Sequence, residues 1–238
     1  MRTEISSHPF FHLPWKGCCI LYSIAQGADW QKASLPERNE YSMKTIWIAT
    51  GNAHKAEEFA RMMPDMQIKT LKDLPAEIRE QAEAAETGDT FEENALQKAR
   101  ALYNVIHEPV ISDDSGLEVD CLDKAPGVYS ARFMGEDTSY AIKNQAILDA
   151  VEGKDRTARF VCVIAWIDED GNEHTYRGTM EGEIAHKSEG ENGFGYDPIF
   201  YFPPFGTTSA NVAPEVKNAH SHRHNALELF IQDWRNRK

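Results

Sequence analysis

The feature that most constrains the fold begins just after Met43. Lys44-Thr45-Ile46-Trp47-Ile48-Ala49-Thr50 is a β-branched and aromatic run, and a strand is expected over 45–49. Thr50-Gly51-Asn52 then interrupts it as a glycine turn, after which Ala56, Phe59, Ala60 and Met63 recur at i, i+3, i+4 and i+7 until Pro64. That spacing predicts a helix. Strand, glycine turn and helix in direct succession are the opening of an α/β unit.

The rest of the chain continues in kind. Thr90-Phe91-Glu92-Glu93 has the form of a capping box, with Ala95, Ala99, Leu102 and Ile106 as the buried stripe of a second helix that Pro109 closes. A short strand Val110-Ile111-Ser112, an acidic turn Asp113-Asp114-Ser115-Gly116 and another strand, Leu117 to Leu122, are expected next. A third helix is expected from Asp137 to Val151. Ala158 to Ile167, Asp170-Gly171 and an extended run to about Ile184 read as a β-hairpin. A strand near Tyr196 to Phe202 precedes Pro203-Pro204, and a last helix from Ser221 carries Leu227, Phe230, Ile231 and Trp234 on one face. Alternating strands and helices followed by a hairpin predict an α/β domain on a mixed sheet flanked by helices.

Composition narrows what such a domain can do. The chain has 238 residues, 41% of them hydrophobic, and a net charge of −13. One domain with a sizeable core fits that length. The acidic balance excludes broad, sequence-independent binding to nucleic acid, which runs on basic side chains releasing phosphate counterions. No apolar run approaches the roughly eighteen residues that cross a bilayer, so no membrane partner is expected. Residues 1–42 carry as many acidic as basic side chains, so the whole net charge falls after Met43. The run Cys18 to Ala25 is too short and its start too weakly basic for a signal peptide. Residues 1–42 are therefore expected to be an extension, and residues 43–238 the domain. Cys18 and Cys19 lack metal-finger spacing, while Cys121 and Cys162 sit among apolar residues as reduced thiols would in a cytoplasmic protein.

Five segments carry groups with chemistry. Thr50, Gly51, Asn52, Ala53, His54 and Lys55 span a strand-to-helix turn, where backbone N–H groups, the helix dipole and the lysine favour a phosphate. The Walker spacing is absent, and an Asn-capped helix with a solvated lysine accounts for these residues equally well. Asp113 and Asp114 in succession suggest a hard cation such as Mg²⁺, although polar turns have the same composition. Glu86, beside Gly88, is a further candidate ligand, whereas Glu92 and Glu93 belong to the helix cap. Gly193-Phe194-Gly195-Tyr196-Asp197 can offer a planar ligand close backbone, a ring face and a carboxylate, or can be a glycine-rich turn with core aromatics. Lys217 and Ser221-His222-Arg223 concentrate cationic groups. The alternation of His220, His222 and His224 points them to different sides of a helix, against a three-histidine metal site.

In this order, Thr50-Gly51-Asn52-x-x-Lys55, Glu86-Thr87-Gly88, Ser112-Asp113-Asp114-Ser115-Gly116-Leu117, Pro126-Gly127-Val128-Tyr129-Ser130-Ala131-Arg132, Gly193-Phe194-Gly195-Tyr196-Asp197-Pro198 and Ser221-His222-Arg223 resemble the inosine triphosphate pyrophosphatase family, also called Ham1-like. The resemblance runs from Met43 to about Trp234, and residues 1–42 have no counterpart in it. It implies an elongated mixed sheet, a homodimer, Mg²⁺ dependence, and hydrolysis of dITP, ITP and XTP to the monophosphate and pyrophosphate. By the same resemblance Thr50 to Lys55 cradle the triphosphate, Glu86 and Asp114 hold Mg²⁺, and Asp114 is also the proton acceptor. Ser115, Phe194, Gly195, Tyr196, Asp197, Lys217, His222 and Arg223 are implied to contact the nucleotide. His220, His224 and Asn211-Val212 depart from the family pattern at positions bearing on fine substrate preference. Two other readings stand beside it: a Maf-like pyrophosphatase for other nucleotides, and a nucleotide-sensing module without catalysis.

Overall fold

The computed structural model describes residues 44–237. The expected extension over residues 1–42, with Cys18 and Cys19, lies outside them. In chain order the elements are β1 (Lys44–Ile48), α1 (Ala53–Met62), β2 (Met66–Thr70), α2 (Ala76–Ala82), α3 (Phe91–Ile106), β3 (Val110–Val119), α4 (Tyr140–Ala150), β4 (Thr157–Ile167), β5 (Glu173–Ile184), β6 (Phe200–Phe202), β7 (Thr207–Thr208), α5 (Pro214–Asn218) and α6 (His222–Asn236). The strands form one sheet in the order β2-β1-β3-β4-β5-β6-β7. β1 runs parallel to β2 and β3, and every later pairing is antiparallel. This is the mixed sheet that alternating elements followed by a hairpin predict.

Helices cover both faces. Ala95, Ala99 and Leu102 of α3 pack on Val161, Val163 and Ala165 of β4. On the other face, Phe59 of α1 and Ala226, Leu227 and Phe230 of α6 pack on Cys162, Ile164 and Trp166 of the same strand. Buried on both sides, β4 reads as a continuous apolar run rather than an alternation. A third cluster, at the other end of β3 and β4, joins Ile147 and Leu148 of α4 to Leu117, Phe160 and Phe200.

The helix starts are chemically marked. The Thr90 hydroxyl accepts from the Glu93 N–H while the Glu93 carboxylate accepts from the Thr90 N–H, the predicted capping box. The Ser221 hydroxyl accepts from the His224 N–H and starts α6 at the predicted place.

One close approach fixes α6, and with it His222 and Arg223, against the sheet. A Cβ at Gly178 of β5 would stand 2.3 Å from the Ala226 nitrogen and 2.4 Å from the His222 oxygen, both backbone atoms that cannot swing aside. Gly178→Ala is therefore expected to lose about 1–3 kcal/mol or more by overpacking. Thermal denaturation checks this, and an unchanged melting temperature would contradict the close packing of α6.

The structure corrects the expected course of the chain in three places. Residues 113–116 are not a turn: β3 runs unbroken, pairing with β4 from Val110↔Ile167 to Val119↔Ala158, and it ends there rather than at Leu122, with Asp120–Leu122 a 3₁₀ turn. Turn-forming residues persist in this strand because tertiary partners satisfy them. The Ser112 hydroxyl, for example, donates to the Ala95 carbonyl at 2.5 Å. The strand expected near Tyr196 is confined to Phe200–Phe202 and preceded by a 3₁₀ turn over Asp197–Ile199. Pro198 has no N–H to give a ladder. Finally, the helix expected from Asp137 begins only at Tyr140, after Ser139.

Candidate active site

The loop leaving β1, the central part of β3, α3 and the loops flanking β6 and α6 enclose a cavity of about 590 Å³. Its walls include Thr50, Gly51, Asn52 and Lys55 at one end, Glu86, Asp114, Ser115 and Arg223 in the middle, and Phe194, Gly195, Tyr196, Asp197, Lys217 and His222 at the other. Residues spread over most of the domain thus meet in one place. Ala53 and His54 open α1. Ala53 is exposed, and the side chain of His54 lies outside the described residues.

The first end is a capped helix beside a lysine. The Thr50 hydroxyl accepts from the Asn52 N–H at 3.1 Å, and the Asn52 side-chain oxygen faces the Lys55 N–H at 3.5 Å. The Lys55 ammonium lies 2.9 Å from Asp113. The helix is Asn-capped, as one reading expects, but the lysine is not solvated: it is paired with a buried carboxylate at the cavity wall.

The two successive aspartates do different things because a strand sends neighbours to opposite faces. Asp113 points toward α1 and α6, where it meets Lys55 and the Arg223 Nη2 at 3.3 Å. Burial works against its charge, but Lys55, Arg223 and Lys98 prevail and hold its carboxyl well below the usual range. Arg223 is fully engaged: Nε and Nη2 face Asp113, Nη2 also meets the Ser115 hydroxyl at 3.2 Å, and Nη1 pairs with Glu58 of α1. This ion pair ties α1, β3 and α6 together beneath the cavity.

Asp114 points the other way, toward α3. The Lys98 ammonium stands between two carboxylates, 2.6 Å from Glu86 Oε1 and 3.4 Å from Asp114 Oδ1. Arg132, from the Pro126-to-Arg132 motif, lies 3.5 Å from the second Glu86 oxygen. These surroundings drive the two acids apart. In Glu86 burial is outweighed by Lys98, with Lys55 and Arg132 behind it, and the carboxyl is held below its usual value. In Asp114 burial dominates, the negative charges of Glu86 and Asp113 add to it, and the carboxyl is pushed up despite Lys98. A pair separated in this way contains one group that favours its ionised form and one readier proton acceptor.

Lys98 escaped the sequence reading. Its signal was a cation set among Ala95, Ala99 and Leu102 on the inward side of an amphipathic helix. Such a charge is costly to bury unless paired. Glu58 was missed as well, and Arg132 was named in its motif without a role, since both are ordinary charges until their partners are known.

The far end is aromatic. Phe194 is 46% exposed, with the Lys217 ammonium 5.0 Å from its ring centroid. Lys217 and Asp197 form a buried ion pair at 2.5 Å, and Asp197 also accepts from the Phe194 N–H at 2.9 Å. Gly193 has φ +76°, and a Cβ there would strike the Asp197 carboxylate at 2.2 Å, so only glycine permits this turn. His222 stacks on Phe160 with centroids 5.0 Å apart. Burial, with Arg223 and Lys217 nearby, lowers its pKa well below the usual value, so the imidazole is neutral. His220 instead meets Phe205, and no cluster of three or more His, Cys, Asp or Glu suited to a metal occurs among the described residues.

Four buried polar atoms without a hydrogen-bond partner among the described residues belong to cavity residues: Asp113 Oδ1, Asp114 Oδ2, Asp197 Oδ1 and His222 Nδ1. Such atoms are costly to bury unless something else meets them. Their concentration here marks a surface built for a polar ligand.

Residues 46–233 match the model of the Ham1 family. The chain belongs to the Ham1 family. A relative from Listeria monocytogenes, named dITP/XTP pyrophosphatase, is 45% identical over 196 residues, covering 80% of this chain and 95% of the relative. One from Geobacillus kaustophilus with the same name is 45% identical over 197 residues, covering 81% and 95%. Among solved structures, the Staphylococcus aureus Ham1 protein superposes with a TM-score of 0.75 at 41% identity, covering 82% of this chain and all of that one. A HAM1 protein from Coxiella burnetii gives 0.74 at 39% identity. The expected Ham1 fold, a mixed sheet flanked by helices, is thus the observed one. No helix among the described residues is long and apolar enough to cross a membrane.

Proposed function

We propose that this Ham1-family chain hydrolyses non-standard purine nucleoside triphosphates, dITP, ITP and XTP, to the monophosphate and pyrophosphate, removing them from the nucleotide pool. The observation that carries this reading is the single cavity joining a helix N-terminus with Lys55, the Glu86–Lys98–Asp114 cluster, and an aromatic end at Phe194. A triphosphate, a reacting phosphorus and a planar base need that sequence of environments.

Glu86 and Asp114 fit a divalent cation. They already converge on one cation, the Lys98 ammonium, and Asp114 Oδ2 is buried without a partner among the described residues. Mg²⁺ takes one or two carboxylates and completes its shell with water and phosphate oxygens, so the absence of a larger acidic cluster is no obstacle. When bound there, it would neutralise charge on the phosphates and polarise the attacking water.

The chain's own groups do the rest. Asp114 takes the proton from the water that attacks phosphorus, while the bond to the pyrophosphate oxygen breaks. Glu86, held ionised by Lys98, would hold the cation. Lys55 and the N-terminus of α1 stabilise the triphosphate. Lys217 and the groups around His222 face the base, where a donor meets the 6-keto oxygen of hypoxanthine or xanthine. A 6-amino group would set donor against donor and leave a buried group unpaired.

The test is pyrophosphate release with Mg²⁺ across the inosine, xanthosine, guanosine and adenosine triphosphates. Turnover of the first two well above that of adenosine triphosphate is expected, since guanosine triphosphate presents the same 6-keto oxygen. Equal turnover of all four, or none, would remove the reading. The homodimer implied by the resemblance and the cytoplasmic location expected from the cysteines belong to this same proposal, and sedimentation of the purified chain tests the first.

A further inference from the structure

The aromatic end of the cavity has a wall supplied by α4. Tyr140, the first residue of that helix, meets Tyr196 edge-on with ring centroids 5.4 Å apart. A Cβ built at Gly195 would stand 3.6 Å from the Tyr140 ring, so ring and backbone are in close contact. Lys143, one turn along, holds its ammonium 5.0 Å from the ring centroid while donating to the Ala131 carbonyl at 2.7 Å. Asn144 donates to the Gly195 carbonyl at 3.1 Å and fastens the helix to the same loop. The ring is thus fixed before any ligand arrives. Tyr140 is nevertheless 39% exposed and lines the cavity. Its hydroxyl has no hydrogen-bond partner among the described residues, whereas that of Tyr196 is spent on the Ser130 carbonyl at 2.8 Å.

We propose that Tyr140 is a substrate-binding residue whose ring and hydroxyl close the α4 side of the base site and set the position of the purine. The inference rests on the nucleotide reading of the cavity. A ring already held in place loses little freedom on binding, so its contact area and hydroxyl count almost fully toward affinity. Tyr140 is at the aromatic end, with the proposed reacting groups Glu86 and Asp114 in the middle of the cavity. Its loss therefore falls on binding shared by substrate and transition state, which raises KM and leaves kcat.

The test compares the natural chain with Tyr140→Ala and Tyr140→Phe on dITP and XTP, and measures inhibition by inosine monophosphate and by pyrophosphate. Tyr140→Ala is expected to raise KM about tenfold with kcat within about twofold, the scale of one lost aromatic contact to a base. The inhibition constant of inosine monophosphate rises in parallel, and that of pyrophosphate stays put. Tyr140→Phe keeps the ring and stays within about threefold of the natural chain. An unchanged KM in Tyr140→Ala overturns the proposal. So does a parallel rise for pyrophosphate, which signals a cavity loosened throughout. If the natural chain hydrolyses neither dITP nor XTP, the functional reading fails instead, and calorimetric titration of the three proteins with inosine monophosphate still decides the role of Tyr140.

Discussion

Asp114→Asn is expected to lower kcat by about 10³-fold while leaving nucleotide affinity within about threefold. Asparagine has the shape of aspartate but cannot take a proton from water. The expected loss follows from position: Asp114 Oδ1 faces Lys98 at 3.4 Å, and Oδ2 is buried at the cavity wall without a partner among the described residues. Stability should hold. Lys98 keeps Glu86 at 2.6 Å, and the amide is spared the burial cost that raises the Asp114 pKa. Single-turnover rates and equilibrium nucleotide binding check both halves. A rate within tenfold of the natural chain would remove Asp114 from the chemistry.

Its neighbour should behave in the opposite way. Asp113→Ala is expected to cost about 3 kcal/mol or more, because it leaves Lys55 and the buried Arg223 without their shared anion. In a domain of this size that lowers Tm by about 6–12 °C. Because partners hold the Asp113 carboxyl below its usual value, the stabilisation is complete above the unfolded value of about 4 and is lost as pH falls toward the folded one. The difference between the two proteins is therefore largest at neutral pH and shrinks in acid. Thermal melts at a series of pH values measure it, and a gap that widened in acid would contradict the ion-pair account.

The contrast between these two residues also shows what the sequence carried and what it did not. Local signals were legible: the strand, glycine turn and helix after Met43, the Thr90 cap, the hairpin ending at Ile184 and the Ser221 cap are all present. Each depends on residues within one or two turns of one another. β2 and α2 were not anticipated, since β2 is short and mostly half-buried, with no clean alternation. The stretch Ser112 to Gly116 resembled a turn because its composition is that of a turn. The ladder to β4 makes it a strand, partners on α1, α3 and α6 satisfy its polar side chains, and its pleat separates Asp113 from Asp114. Most of the site's residues were found through motif order. Lys98 and Glu58 were not, because their meaning lies in Asp114 and Arg223, the latter 165 residues from Glu58.

The central claim is that one hydrolytic step cuts the triphosphate so that pyrophosphate leaves intact. Phosphorus NMR of the natural chain with dITP and Mg²⁺ tests it directly. Pyrophosphate and dIMP appearing in equal amounts from the earliest time points, with no orthophosphate, is the predicted result. Orthophosphate accumulating together with dIDP would contradict it.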